Sequence, residues 1–86
     1  MRMKIHPHLS EAIAKVIEVI RKDQKMSKSS LADFAEIERC YLLDILKGRK
    51  RPTLNVIFSI CGALQIHPTE FIRMVTEEIE RMKTKS

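Results

Sequence analysis

The chain has little of what breaks or pins a fold. Only two of its 86 residues are Gly and three are Pro. That excludes a collagen repeat, a Gly/Ser linker and a low-complexity tail. Cys40 and Cys61 are its only cysteines, too few for a disulfide scaffold and without the paired spacing of a zinc site. The three histidines, His6, His8 and His67, give no metal-ligand spacing either. No long hydrophobic run is present: the least polar stretch, Leu54 to Ile66, is too short for a bilayer and carries Asn55, Ser59 and Gln65. No apolar segment follows the charges of Met1-Arg2-Met3-Lys4, so a signal peptide is not visible. A reduced, cytoplasmic setting without membrane partners is the expectation. Gly-rich phosphate loops, nucleophile elbows and clustered acid–base pairs are also missing, which argues against an enzyme and against a cofactor.

What is present is a 44% apolar composition, normal for a globular domain, in a length that allows one core. A single domain is expected over 1–86, its core over about 9–72, with loose ends at about 1–6 and 84–86. The net charge is +5, unevenly spread. Residues 9–46 hold six basic and seven acidic groups, and residues 52–86 hold four of each. The excess lies in the tail, at Arg2 and Lys4, and in Lys47-Gly48-Arg49-Lys50-Arg51. A focused basic loop suits a polyanion, although short basic runs are also ordinary solvated loops.

The periodicity is helical throughout and strand signals are absent. Leu9, Ile13, Val16, Ile17 and Ile20 form one apolar face, with Arg21 and Lys22 suited to the negative helix end. Ser27 is a good N-cap for a short second helix carrying Leu31, Ala32 and Phe34. A third helix is expected from about Glu38 to Lys47, with Tyr41, Leu42, Ile45 and Leu46 inward and Gly48 ending it in a left-handed conformation. Thr53 should cap a fourth helix with the stripe Leu54, Ile57, Phe58, Cys61 and Leu64. Thr69 should cap a fifth, with Phe71, Ile72, Val75, Ile79 and Met82 on one face. The sum is a compact all-α domain of five short helices.

The segment Met26 to Leu54 carries a recognisable pattern: Leu31-Ala32, Ile37, Tyr41-Leu42, Ile45, Gly48 and Pro52-Thr53-Leu54 at fixed offsets. It resembles the helix-turn-helix family of phage repressors, Cro proteins and Xre-type regulators. It is most similar to the restriction-modification controller branch, through the Tyr-Leu of the third helix and the Gly-Arg-Lys-x-Pro-Thr-Leu exit. The resemblance covers roughly Leu9 to Ile72 and implies a lambda-repressor-like fold that binds double-stranded DNA. Three positions depart from the family pattern. Glu36 stands where the turn usually has Gly. Glu38 stands where Ser or Thr usually caps the third helix. Leu46 replaces the Glu that usually pairs with an Arg at position 21, which frees Arg21 for solvent or DNA.

The third helix would then enter the major groove with its N-terminal half first. Arg39 can give guanine O6 and N7 two hydrogen bonds, or instead meet a phosphate or Glu36. Cys40 and Leu43 can touch thymine methyl groups, or Cys40 can be an inert small residue. Asp44 either accepts from cytosine N4, orients Arg39 or is a solvated acid. Ser27, Lys28 and Ser29 at the start of the second helix suit one stretch of phosphates. Lys47, Arg49, Lys50 and Arg51 suit another.

Val56, Ile60 and Ala63 lie outside the first stripe of the fourth helix, and Ile66 follows. With Ile72, Val75 and Ile79 they either pack a larger monomer core or, since a small monomer has limited core to bury both faces, form a two-fold dimer interface; the dimer, through Val56, Ile60, Ile66, Ile72, Val75 and Ile79, is expected. The family implies the same pairing through the last two helices, about 69–83 included. Two recognition helices roughly 34 Å apart would then read a palindromic operator. The expected function is a dimeric, sequence-specific transcriptional regulator. It would repress, or activate by touching RNA polymerase, its occupancy set by concentration because no sensor domain is visible. The rival is an antitoxin-like or other protein-interaction module on the same fold, with which the Glu77-Glu78-Ile79-Glu80 run is compatible.

Overall fold

The structure, a computed structural model, describes residues 6–85. Of the ends expected to be loose, about 1–6 and 84–86, residues 1–5 (with Arg2 and Lys4) and 86 lie outside the described residues, while 84–85 continue the last helix. Five helices follow one another: α1 (Leu9–Asp23), α2 (Lys28–Ala35), α3 (Arg39–Leu46), α4 (Leu54–Leu64) and α5 (Pro68–Lys85). Among the described residues there is no strand, and no helix is long and apolar enough to cross a membrane.

α1 runs through the middle, burying Ala12, Ile13, Ala14, Val16, Ile17 and Ile20. It packs against α3 and α5, while α2 packs against α3 and α4. α4 and α5 touch only lightly. The small Ala32 and Ala35 let α2 approach its neighbours, and Leu31, Leu42, Ile45, Leu64 and Phe71 fill the centre with no exposed surface to speak of. Each such side chain contributes about 1.5–3 kcal/mol of burial.

Local signals set the helix ends. The Ser27 and Thr53 hydroxyls accept from the backbone N–H of Ser30 (3.0 Å) and Val56 (3.2 Å), as N-caps should. α5 departs from expectation: it begins at Pro68, one residue before the predicted cap. His67 does the capping, its Nδ1 accepting from the Thr69 N–H at 3.1 Å. Pro is well placed at a first helical position, where no N–H is needed.

α1, α2 and α4 end alike, on a non-Gly residue in the left-handed region: Lys25, Glu36 and Gln65, with φ of 56–57°. In each case the next residue's N–H reaches back, Met26 to Arg21, Ile37 to Ala32 and Ile66 to Cys61, all at 3.0 Å. That next residue is apolar and half-buried against the core. This is the Schellman ending with its hydrophobic contact. Glu36 therefore adopts the conformation for which the family uses Gly, at a cost of about 1 kcal/mol. Gly48, at φ 74°, ends α3 as expected.

Two predicted stripes were rotated. On α4 the buried residues are Ile57, Ile60, Cys61 and Leu64, while Leu54 and Phe58 are 68% and 55% exposed. On α5 Phe71 and Val75 are buried and Ile72 is 47% exposed. Because α5 lies across α1, its core face turns toward α1 and Ile72 rolls outward. Phe34 on α2 is also exposed, at 66%. Ile60 and Val75 consequently cannot belong to a dimer surface: at 0% and 3% exposure both are committed to the monomer core. Val56, Ile66 and Ile79 are half-buried against that core. Of the six residues predicted for the interface, Ile72 alone is exposed.

Candidate nucleic-acid interface

The α2–turn–α3 unit is held from both sides. Its turn is fixed by the Glu36 and Ile37 N–H bonds, and Leu42 and Ile45 anchor α3 in the core. What faces outward is set by period: burying 42 and 45 exposes Arg39 and Cys40 at the N-terminal end of α3. Leu43 is half-buried rather than exposed. Glu38, the N-cap, makes no side-chain cap bond, so the first N–H groups of α3 keep their donors and their positive end. Arg39 has no ion pair with Glu36 or any other described acid, leaving its guanidinium fork available.

Two basic groups flank this helix end. At the start of α2, Lys28 is half-buried and Ser29 exposed. Ser27 differs from expectation, since its hydroxyl is already used: it accepts from the Ser30 N–H and donates to Ser30 Oγ, both at 3.0 Å. No hydroxyl proton of Ser27 remains for a phosphate while it caps. Beyond α3, Lys47, Arg49 and Arg51 are exposed. The loop is shaped by the Asp44 carbonyl, which accepts from the N–H of Arg49 at 2.9 Å and of Lys50 at 3.4 Å.

Asp44 has a clear task in the free protein. Its carboxylate lies 3.9 Å from Lys50 Nζ, which also sits 5.7 Å above the Tyr41 ring. The ring quadrupole and the carboxylate together hold that ammonium. In the free protein Asp44 thus helps to hold the basic loop, and Lys50 is less free than its neighbours. Tyr41 was read from the sequence only as a core residue; its contact spans nine residues and two elements, so no local pattern signals it. Arg21 likewise points neither to solvent nor to DNA. It donates to the Met26 carbonyl at 2.8 Å and pairs with Glu18 on its own helix, which compensates for Leu46.

The thiols divide by position. Cys40 is exposed beside Arg39, and Cys61 is buried in α4, where burial raises its pKa and keeps it protonated. Among the described residues no group of three or more metal-ligating side chains comes together.

A second exposed surface lies away from these charges. Leu54, Phe58 and Ile72, with Pro68 and Thr69, line a shallow apolar depression where α4 and α5 diverge. Contiguous exposed apolar groups of this kind mark interaction surfaces.

With five helices, a fixed turn and an exposed helix end between basic flanks, the class is that of a helix-turn-helix DNA-binding domain. The Cro/C1-type HTH DNA-binding domain family matches residues 16–77, and the chain belongs to that family. It is 36% identical over 56 residues to the immunity repressor protein of Bacillus phage phi105, covering 65% of this chain and 39% of that repressor. The chain thus spans well under half the length of that relative. Among solved structures it is similar to the restriction-modification controller protein C.Esp1396I. The TM-score is 0.81 at 24% identity, covering 88% of this chain and 99% of that one. C.Esp1396I has also been solved as a tetramer in complex with its natural 35 base-pair operator. The clp gene regulator ClgR from Corynebacterium glutamicum superposes with a TM-score of 0.86 at 21% identity, over 94% of this chain and 86% of that one.

Proposed function

We propose that this chain is a sequence-specific transcriptional regulator that occupies a promoter site as a homodimer. The observation that carries the reading is the exposed N-terminal end of α3, with Arg39 unpaired among the described residues, Lys28 on one side and Lys47, Arg49 and Arg51 on the other. An α-helix end of that shape fits the major groove, and cations on both sides suit the phosphates that border it. Arg39 is the base reader, through guanine O6 and N7; Cys40 and Leu43 supply apolar contact to a neighbouring thymine methyl. Lys28 and Ser29 hold one backbone, and Lys47, Arg49 and Arg51 the other. The immunity-repressor relative and the operator-bound controller protein support the same reading, and non-enzymatic action in the reducing cytoplasm fits the two free thiols.

Pairing proceeds through the surface of Leu54, Phe58 and Ile72, in place of the buried Ile60 and Val75. A two-fold dimer sets its recognition helices about 34 Å apart and requires a palindrome. The test is selection of bound duplexes from a random pool by the purified protein at about 0.15 M salt, where nonspecific binding is partly suppressed. An enriched palindrome with half-sites one turn apart is the expected result. Weak, salt-sensitive binding without enrichment would sink the reading and favour a protein-binding module on this fold.

A further inference from the structure

Gly62 has no reason to be glycine in the monomer. It stands inside α4, is exposed, is not among the positive-φ glycines, and a Cβ built on it meets nothing within 4 Å. Mid-helix glycine is destabilising relative to alanine. An open depression beside it is lined by Met26, Phe34, Gly62, Ala63 and Gln65. Phe34 stands beside it 66% exposed.

The depression continues a ridge. Leu54, Phe58 and Gly62 fall at i, i+4 and i+8 on α4, and all three are exposed. Going along the ridge the side chains read large, large and absent. If two such ridges cross antiparallel on a two-fold axis beside Phe58, each Phe58 meets its counterpart and each Leu54 faces the other copy's Gly62. A two-fold interface demands this reciprocity: the surface must be complementary to itself.

Charge points the same way. The Leu54 end of the ridge follows the exposed Arg51 and the Asp44-held Lys50, whereas the depression lies beside Phe34 on α2, where the exposed Asp33 and Glu36 outnumber the exposed Lys25 next to Met26. Antiparallel pairing brings the basic end of one copy to the acidic end of the other, which favours the encounter and fixes its register.

The geometry points to a specific self-association register, in which Leu54 of each copy seats in the Gly62 depression of the other beside Phe34. This rests on the dimer reading above and gives it a register. Gly62 is the specificity-determining position: it excludes nothing in the monomer and accepts one side chain of the dimer.

The experiment compares wild type, Gly62→Leu, Leu54→Ala and the double variant by sedimentation equilibrium across the micromolar range, with thermal unfolding alongside. Gly62→Leu should leave the fold intact, since its side chain enters open space, yet weaken dimerisation at least tenfold by blocking Leu54. The double variant, which exchanges the large and small partners, should recover most of that loss. A dimer indifferent to Gly62→Leu overturns the register and leaves the dimer reading standing on Ile72 and α5. A wild type that stays monomeric, free and on operator DNA, overturns the dimer reading itself.

Discussion

The edge made by α2, α3 and the loop 47–51 and the ridge of α4 with Ile72 are built on one core but solve opposite problems. The first exposes cations with few partners of their own; among the described residues Arg39, Lys47, Arg49 and Arg51 have no ion pair, while Lys50 is held by Asp44 and Tyr41. The second exposes Leu54, Phe58 and Ile72, which water disfavours. The first surface suits a charged, hydrated partner bound through many weak contacts whose strength falls with salt. The second suits an apolar partner of fixed shape, with little salt dependence. α5 shows a third arrangement for contrast: Arg73 is paired with Glu70 and Glu77, which holds the Glu70 carboxyl below the usual range and leaves no free cation in that group.

Removing what the two surfaces share gives the largest effect. Phe71, fully buried, should cost about 3–5 kcal/mol as Phe71→Ala, and in a domain this small operator binding and dimerisation should fail together on heating. Next, the surfaces should separate. Arg39→Ala should lose about 1–3 kcal/mol on the selected duplex and relax preference at one base pair, without changing the sedimentation of the free protein. Phe58→Asp should do the reverse, raising the dimer dissociation constant while the circular dichroism spectrum keeps its helical content. If either variant abolished both properties with the fold intact, the two surfaces would not be independent.

Within the basic edge a finer difference is expected. Arg49→Ala should flatten the slope of log K against log salt by about one unit, since it removes one phosphate contact. Lys50→Ala should change it less, because the Lys50 ammonium already has a carboxylate 3.9 Å away. Equal slopes would mean that Asp44 releases Lys50 on DNA. The smallest effect is in the turn itself: Glu36→Gly should stabilise by about 1 kcal/mol in a denaturant titration, by relieving the left-handed strain that a side chain imposes.

Much of the fold was legible in the sequence because its signals are local. The caps at Ser27 and Thr53, the stop at Gly48 and the inward positions of α1 depend on residues within a turn of one another, and all stand where local chemistry puts them. The charge of loop 47–51 and the outward position of Arg39 follow from the same short-range rules. Other features depend on how one helix lies against another. α4 is apolar over most of its surface, so periodicity cannot say which stripe is covered; α4 packs mainly on α2 with Ile60 buried, and its light contact with α5 leaves Leu54 and Phe58 bare. The crossing of α5 over α1 buries Val75 and turns out Ile72 for the same reason. The Asp44–Lys50–Tyr41 cluster formed only once a loop folded back on α3. The sequence by itself determined the starts of α2 and α4, the stop of α3 and which loop carries the charge, since those energies are set within a few residues. Tertiary structure decided which apolar groups were left over for a partner, since burial depends on what lies across from a side chain and not on what lies beside it.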